Sequence, residues 1–326
     1  MPFRDIAGHS HLLELVASAA GRGTLPPSLV FAGPEGVGKR TAAVALAQFV
    51  NCPAAGDDAC GTCASCTRIA RGIHADVLIV EPGETGAIKV DQIRDAVERT
   101  GYRPFEGRRR VVIVDDADAM LGEAQNALLK TLEEPPATSM FVLVTSRPDV
   151  LLPTVRSRCQ RLRFGRLSPA DVAAVLMKAH SYSSSDAHAA ASVADGSVGL
   201  ALEGGCDAYV EARQAAAEVL EGLAPAPDPR RRLENAKTLA GSGDRDDLRR
   251  RLRALASMLR DLGALGSQAD ERFLANADLA GVLRKLAASF DRGRVTHAFT
   301  AVDRALEAVD RNASPKIVAD WLAFQL

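Results

Sequence analysis

The chain has 326 residues, 47% of them hydrophobic and 4% aromatic, with a net charge of −1. That length exceeds one ordinary core and implies two or three domains, and the shortage of aromatics leaves a core built from Ala, Leu and Val. The near-neutral balance excludes a global electrostatic pull toward nucleic acid, and no apolar run approaches the 18 or more residues of a membrane span.

Residues 1–6 carry no basic segment followed by an apolar stretch, so the expected location is the cytoplasm, with no membrane association. Residues 29–31 form a short apolar run that leads into Gly33-Pro34-Glu35-Gly36-Val37-Gly38-Lys39-Arg40, and 41–50 continue as an Ala-rich helical pattern. This is strand, phosphate loop, helix. In the intact motif the N–H groups around Gly33, Gly36 and Gly38 cradle phosphates, the lysine (here Lys39) reaches the β and γ phosphates, and a final Ser or Thr ligates Mg²⁺. Arg40 stands at that last position and has no acceptor atom with which to ligate a cation. Thr41 is displaced about 100° around the helix and is a poor substitute. The residues alone leave open whether ATP or ADP binds through Lys39 and the glycines.

Directly after this helix, Cys52, Cys60, Cys63 and Cys66 give the spacing C-x₇-C-x₂-C-x₂-C within a loop of Gly, Asp and Ala. Short Cys-x₂-Cys turns bring soft ligands together for tetrahedral zinc, which predicts a structural Zn²⁺ site with redox chemistry as the alternative. Four protein ligands leave no open position for catalysis. Cys159 and Cys206 stand alone, and Cys159 reads as a small buried apolar residue.

Apolar runs at 77–80, 111–114 and 141–144 alternate with helical segments, one from Asp91 as N-cap through residue 99 and one over 122–132, ended by Pro135 and Pro136. The pattern predicts a parallel sheet with helices on both faces. The run at 111–114 delivers Asp115 and Asp116 to its carboxyl end, where open α/β sheets bind ligands. In a Walker B motif the first acid holds Mg²⁺ and a following Glu polarises water; Asp116 is one methylene shorter than that Glu. A strand that simply ends in acids is the alternative, which the upstream phosphate loop disfavours. Ser146, at the end of the 141–144 strand, completes the candidate nucleotide contacts. Arg158, in Arg156-Ser157-Arg158-Cys159, is a candidate arginine finger, although without the rest of the pattern a surface or ion-paired arginine is the favoured reading. The arginine runs at 108–110, 230–232 and 249–251 fit solvated helix faces and ion pairs better than phosphate contacts, since no stacking aromatics interleave with them.

From Ser168 the pattern turns helical, with Ser168 as N-cap and Pro169 at the first helical position. Short helices occupy 169–203, broken at 183–185 and at Gly196, and Gly204-Gly205 reads as a boundary. Helical periodicity follows in 208–222, 245–263, 278–289 and 294–310. The segment 224–229 is a Pro-rich loop, and Ser314-Pro315 opens a last helix containing Trp321.

Taken together, the loop at 33–40, the Cys₄ insertion, the stretch from Ala127 to Pro136 (ALLKTLEEPP) and Ser157-Arg158-Cys159 closely resemble bacterial clamp-loader subunits of the AAA+ family. The resemblance is strong through about residue 205 and rests beyond it on length and helical character. Within that family the chain is more similar to the delta prime type than to the gamma/tau motor, which is the alternative. Arg40, Asp116 and Gly199, the last where a motor carries a sensor Arg, depart from the motor pattern together. The resemblance implies an α/β AAA+ phosphate-loop domain over 1–166 with a zinc module at 52–66, a helical lid over 167–206 and an all-α collar over 207–326. It further implies a subunit of the DNA polymerase III holoenzyme whose own ATPase is absent or weak, with Arg158 acting on a neighbour's ATP. The implied partners are gamma/tau and delta subunits in a hetero-pentameric ring and, through that complex, a sliding clamp and primer-template DNA.

Overall fold

The computed structural model describes residues 1–54, 56–203, 205–224, 229–268, 270, 274–311 and 313–326, leaving aside the side chains of Cys206 and Asp310. The expected boundary glycine Gly204, the lone Cys206 side chain and most of the Pro-rich loop at 224–229 therefore lie outside what is described. The chain divides into two compact units, Met1–Leu167 and Ser168–Leu326.

The first unit is built on five parallel strands: β1 (Ser28–Ala32), β2 (Val77–Val80), β3 (Arg110–Val114), β4 (Ser139–Thr145) and β5 (Gln160–Arg163), in the order β2-β3-β4-β1-β5. Alternation along each strand sends side chains to two separate cores. Leu29, Phe31, Val111, Ile113, Val142 and Val144 pack with Ala42, Leu46 and Phe49 of helix α2 (Lys39–Asn51) and with Leu13 and Val16 of α1 (Ser10–Gly21). Val30, Ala32, Val112, Val114, Phe141 and Leu143 face the other way, onto Ile93 and Ala96 of α4 (Val90–Thr100) and Ala124, Leu128 and Leu132 of α5 (Gly122–Glu133). Helix α3 (Ala64–Ala70) belongs to the cysteine module, and the short α6 (Pro153–Arg156) precedes β5.

Two local details differ from the sequence expectation. Asp91 does not cap α4; the N-cap is Lys89, whose backbone N–H donates to Gln92 Oε1 at 2.9 Å, while Asp91 sits in the first turn and pairs with Arg94 at 3.4 Å. The strand β5 was also unannounced, because Gln-Arg-Leu-Arg is an edge strand with only β1 beside it and mostly exposed side chains.

The connection from α4 to β3 folds around one buried carboxylate. Asp76 accepts from the N–H groups of Phe105 (2.7 Å), Glu106 (2.9 Å) and Gly107 (2.7 Å) and from Arg110 Nη2 (2.9 Å). Burial alone would raise its pKa, but these four donors outweigh it and hold the carboxyl at about 2.

The described residues of the second unit form helices and their connections, with no strand among them. Its spine is α12 (Arg245–Gly266), which buries Leu248, Leu252, Leu255, Leu259 and Leu262 and is capped by Asp244 accepting from the N–H groups of Asp246 and Asp247. Packed around it are α8 (Ser184–Val193), α10 (Gly205–Leu223), α13 (Ala280–Ala287) and α14 (Arg292–Asp310), with α7 (Pro169–His180) on α8, and α11 (Pro229–Ala240) and α14 against α15 (Pro315–Gln325). A short α9 (Val198–Leu202) holds Gly199. The hydroxyl of Ser168 caps α7 by accepting from Asp171 N–H at 3.1 Å. Ser257 Oγ of α12 donates to the Ser192 carbonyl of α8 at 2.7 Å. Among the described residues no helix is long and apolar enough to cross a membrane.

Candidate functional site

Because all five strands run parallel, the chain leaves every one of them at the same edge of the sheet, and that edge gathers most of the candidate residues. The glycine loop follows β1. Gly33 lies so close to the backbone of β5's successor, Phe164, that a Cβ built on it would stand 2.2 Å from the Phe164 carbonyl oxygen. Gly38 has φ +94° as the residue before α2, a conformation that disfavours any side chain; Gly36 also has positive φ.

Lys39 is buried, and its ammonium donates to the carbonyls of Gly33 (2.8 Å) and Pro34 (2.5 Å) of its own loop. Burial pulls its pKa down against the opposing field of Asp116, Glu35 and Asp115. Arg40, one residue on, reaches across the sheet edge: Nη1 donates to Asp115 Oδ2 at 3.0 Å and also meets Glu81 Oε1. The register explains this convergence. Val80 pairs with Val114, so Glu81 and Asp115 leave adjacent strands side by side. Burial pushes the Asp115 carboxyl up, and the guanidinium of Arg40 pulls it back.

Asp116 is exposed and left-handed, with φ +47°. The next acid, Asp118, is the one tied to the neighbouring strand. It accepts from Thr145 Oγ1 (2.7 Å), Ser146 N–H (3.3 Å) and Arg147 Nε (2.8 Å). Desolvation would raise its pKa, yet the Thr145 and Arg147 hydrogen bonds bring it below the ordinary value. Sequence reasoning passed over Glu81 and Asp118. Their positions just past β2 and β3 were the available signal, one that needs strand register to be read.

Arg158 is held elsewhere on this unit, in the turn after α6. Its Nη1 donates to the Thr154 carbonyl at 2.9 Å, and Nη2 pairs with Glu133 at the end of α5. Cys159 beside it is buried, with its thiol pushed up to about 12 by burial, which suits an inert apolar residue. The arginine runs are largely spent on ion pairs, as in Arg110–Asp76, Arg230–Glu234 and Arg251–Asp247.

The four cysteines converge. The Sγ atoms of Cys52, Cys60, Cys63 and Cys66 all lie within 4.8 Å of one another, with Cys60 and Cys66 4.0 Å apart. Zinc–sulfur bonds of about 2.3 Å in a tetrahedron give S···S distances of about 3.8 Å, so the set fits a metal ion held by four thiolates. N–H groups aim at the sulfurs: Cys60 N–H at Cys52 Sγ (3.5 Å), Cys63 N–H at Cys60 Sγ (3.3 Å) and Cys66 N–H at Cys63 Sγ (3.4 Å). Such donors favour the thiolate, and they draw Cys60 down to about 6. The module is clasped from two sides. Arg4 donates to the carbonyls of Ala59 (2.9 Å) and Cys60 (3.1 Å), and Gln48 of α2 donates to the Cys66 carbonyl at 2.7 Å.

A glycine loop after the first strand, an acid pair after the third and the order β2-β3-β4-β1-β5 together define a phosphate-loop module of the AAA+ kind. Residues 8–168 match the family described as DNA polymerase III, delta subunit. Among curated proteins it is 40% identical over 148 residues to DNA polymerase III subunit delta' of Pseudomonas aeruginosa (44% of this chain, 45% of that one). It is 37% identical over 158 residues to subunit delta' of Bacillus subtilis (48% of each chain). Subunit tau of Bacillus subtilis is 36% identical over 167 residues, 51% of this chain and 29% of that one. The chain thus spans about half or less of the length of these relatives. A gamma subunit-related protein of Thermotoga maritima superposes over 96% of this chain and 97% of its own with a TM-score of 0.46 at 20% identity, a likeness too slight to bear on function.

Proposed function

We propose that this chain is a delta prime-type clamp-loader subunit that does not hydrolyse ATP itself and acts on nucleotide held by a neighbouring subunit. The observation that carries this reading is the position of Arg40, with its guanidinium against both Asp115 and Glu81. In a phosphate-loop ATPase the side chain at position 40 and the acid at 115 would share Mg²⁺. Here a fixed positive charge lies on that acid and repels a second cation. Delta prime and tau relatives match this chain at similar identity, so the choice between a non-hydrolysing subunit and a gamma/tau-like motor rests on this substitution, with Asp116 in support.

Arg158 is the proposed arginine finger, acting in trans: it is on the surface, its planar fork suits phosphoryl oxygens, and its hold on Glu133 is an exchangeable surface ion pair. Gly33, Gly36, Gly38, Lys39, Arg40, Asp115, Asp116 and Ser146 are the residues that would meet any ATP or ADP. Cys52, Cys60, Cys63 and Cys66 are assigned one structural Zn²⁺. The chain would further supply a lid over 167–206 and a collar over 207–326, joining gamma/tau and delta subunits in a hetero-pentameric ring in the cytoplasm. That ring would place a sliding clamp on primer-template DNA.

The test is calorimetric titration of the purified chain with ATP, with and without Mg²⁺, followed by a turnover assay and by reconstitution with gamma/tau and delta subunits. The reading requires no Mg²⁺-dependent turnover by the isolated chain and a DNA-stimulated ATPase that needs this chain in the complex. Brisk turnover alone would make it a motor of the gamma/tau type.

A further inference from the structure

The second unit carries a groove of about 630 Å³ between α14 and α15 that plays no part in the chemistry above. One face of α14 lines it, with Arg292 at one end and Arg304 at the other. Twelve residues of helix separate these two, which is about 18 Å along the axis. Between them α14 presents Gly293, Thr296, His297, Thr300 and Ala301, and Trp321 lines the groove from α15. His297 Nε2 lies 3.1 Å from the Gln325 carbonyl oxygen and joins the two helices.

The two arginines at the ends of the groove are not matched by acids. Arg213, Arg251 and Arg260 are matched to Asp278, Asp247 and Asp195. Arg292 and Arg304 make no ion pair among the described residues, and the nearby acids of the same helices, Asp303, Glu307 and Asp320, do not line the groove. The aromatic wall is also uncovered: Trp321 is 38% exposed and continues into Ile317 and Phe324, 68% and 61% exposed, spaced to share one face of α15. Arginine and tryptophan lining one groove are residue types enriched at peptide and protein anchor sites.

The occupant follows from charge and length. Two unmatched guanidinium groups call for carboxylates, and an extended chain covers about 18 Å in roughly six residues. Single-stranded nucleic acid fits less well, because it needs a continuing cationic track and several stacking rings, whereas two separated arginines and one ring line this groove. We propose that the groove binds a short acidic peptide of another protein, extended from Arg292 to Arg304 with an apolar side chain packed on Trp321. This site is independent of the phosphate loop.

Trp321 is the sole tryptophan of the chain, so its emission reports on this groove directly. The probe is the hexapeptide Asp-Glu-Leu-Phe-Asp-Asp, titrated into the full chain by tryptophan emission and, fluorescein-labelled, by anisotropy. A saturable blue shift is expected, weakened by salt, and the double variant Arg292→Glu/Arg304→Glu should bind on the order of tenfold more weakly with an unchanged thermal melt. Trp321→Phe, which retains a ring, should preserve anisotropy binding, and a peptide with Ser in place of its acids should lose it. The proposal is overturned if millimolar peptide leaves the emission unmoved, or if the double variant binds as well as the parent. It is equally overturned if an oligo-dT probe binds this groove more tightly than the peptide, or if the emission shifts with protein concentration alone, which would mean a second copy fills it.

Discussion

Arg40 Nη1 lies 3.0 Å from Asp115 Oδ2, so the residue that breaks the phosphate-loop motif is bonded to the acid that would have worked with it. The departure at position 40 thus occupies the acid that the motif retains. Asp115 is buried and its carboxyl is already pushed up, so removing its partner leaves a carboxylate poorly compensated. Arg40→Ala should lower the melting temperature. The sign follows from the raised pKa: a buried acid of this kind weakens the fold as pH rises above its unfolded value near 4, so the deficit should be larger at pH 7 than at pH 4. Arg40→Ser, which restores a hydroxyl and frees Asp115, should gain Mg²⁺-dependent nucleotide affinity by calorimetry. If its affinity is the same with Mg²⁺ and with EDTA, the arginine does not exclude the metal.

Asp76 makes a prediction of opposite sign. Its pKa of about 2, against an ordinary 3.8, contributes about 2 kcal/mol that is fully present above pH 4 and fades as pH falls toward 2. Urea denaturation should show Asp76→Asn less stable than the parent at pH 7 by at least that amount, since Arg110 also loses its charged partner, with the gap narrowing at pH 3. A constant gap across that range would place the effect outside this carboxylate.

Metal analysis of the purified chain should find about one zinc, and chelation should lower the melting temperature reversibly. Because Arg4 and Gln48 grip the module through the carbonyls of residues 59, 60 and 66, hydrogen exchange should also quicken in α2 after chelation. A melt indifferent to chelator and to added zinc would remove the structural role.

Arg158→Ala should fold normally, losing only a surface pair with Glu133 and a hydrogen bond to its own turn. In the reconstituted complex it should reduce DNA-stimulated ATPase, by about 10³-fold or more if the finger carries its full weight. Glu133→Gln is the matching control, since it frees the arginine without removing it and should leave hydrolysis intact.

What the sequence made legible was what local pattern encodes. Four apolar runs were enough to place four parallel strands, and the Cys-x₂-Cys spacing was enough to bring four sulfurs together. The remainder depended on relations between distant segments. β5 has no apolar run to announce it, because an edge strand of Gln, Arg, Leu and Arg draws its place from pairing with β1. α11 opens with three arginines and hides its periodicity behind them. Arg40 was visible as a missing hydroxyl, but its partners were not, since Glu81 and Asp115 meet it only once Val80 is set beside Val114.

The place of β1 has a consequence for how the protein is made. The first strand to leave the ribosome is bordered by the last two of its unit, at 139–145 and 160–163. At roughly 5–20 residues per second, Leu29 to Ala32 wait on the order of ten seconds before a neighbour arrives. No shorter amino-terminal fragment can close that sheet, so a stall before residue 139 leaves both edges of β1 open to chaperones, proteases or other nascent chains.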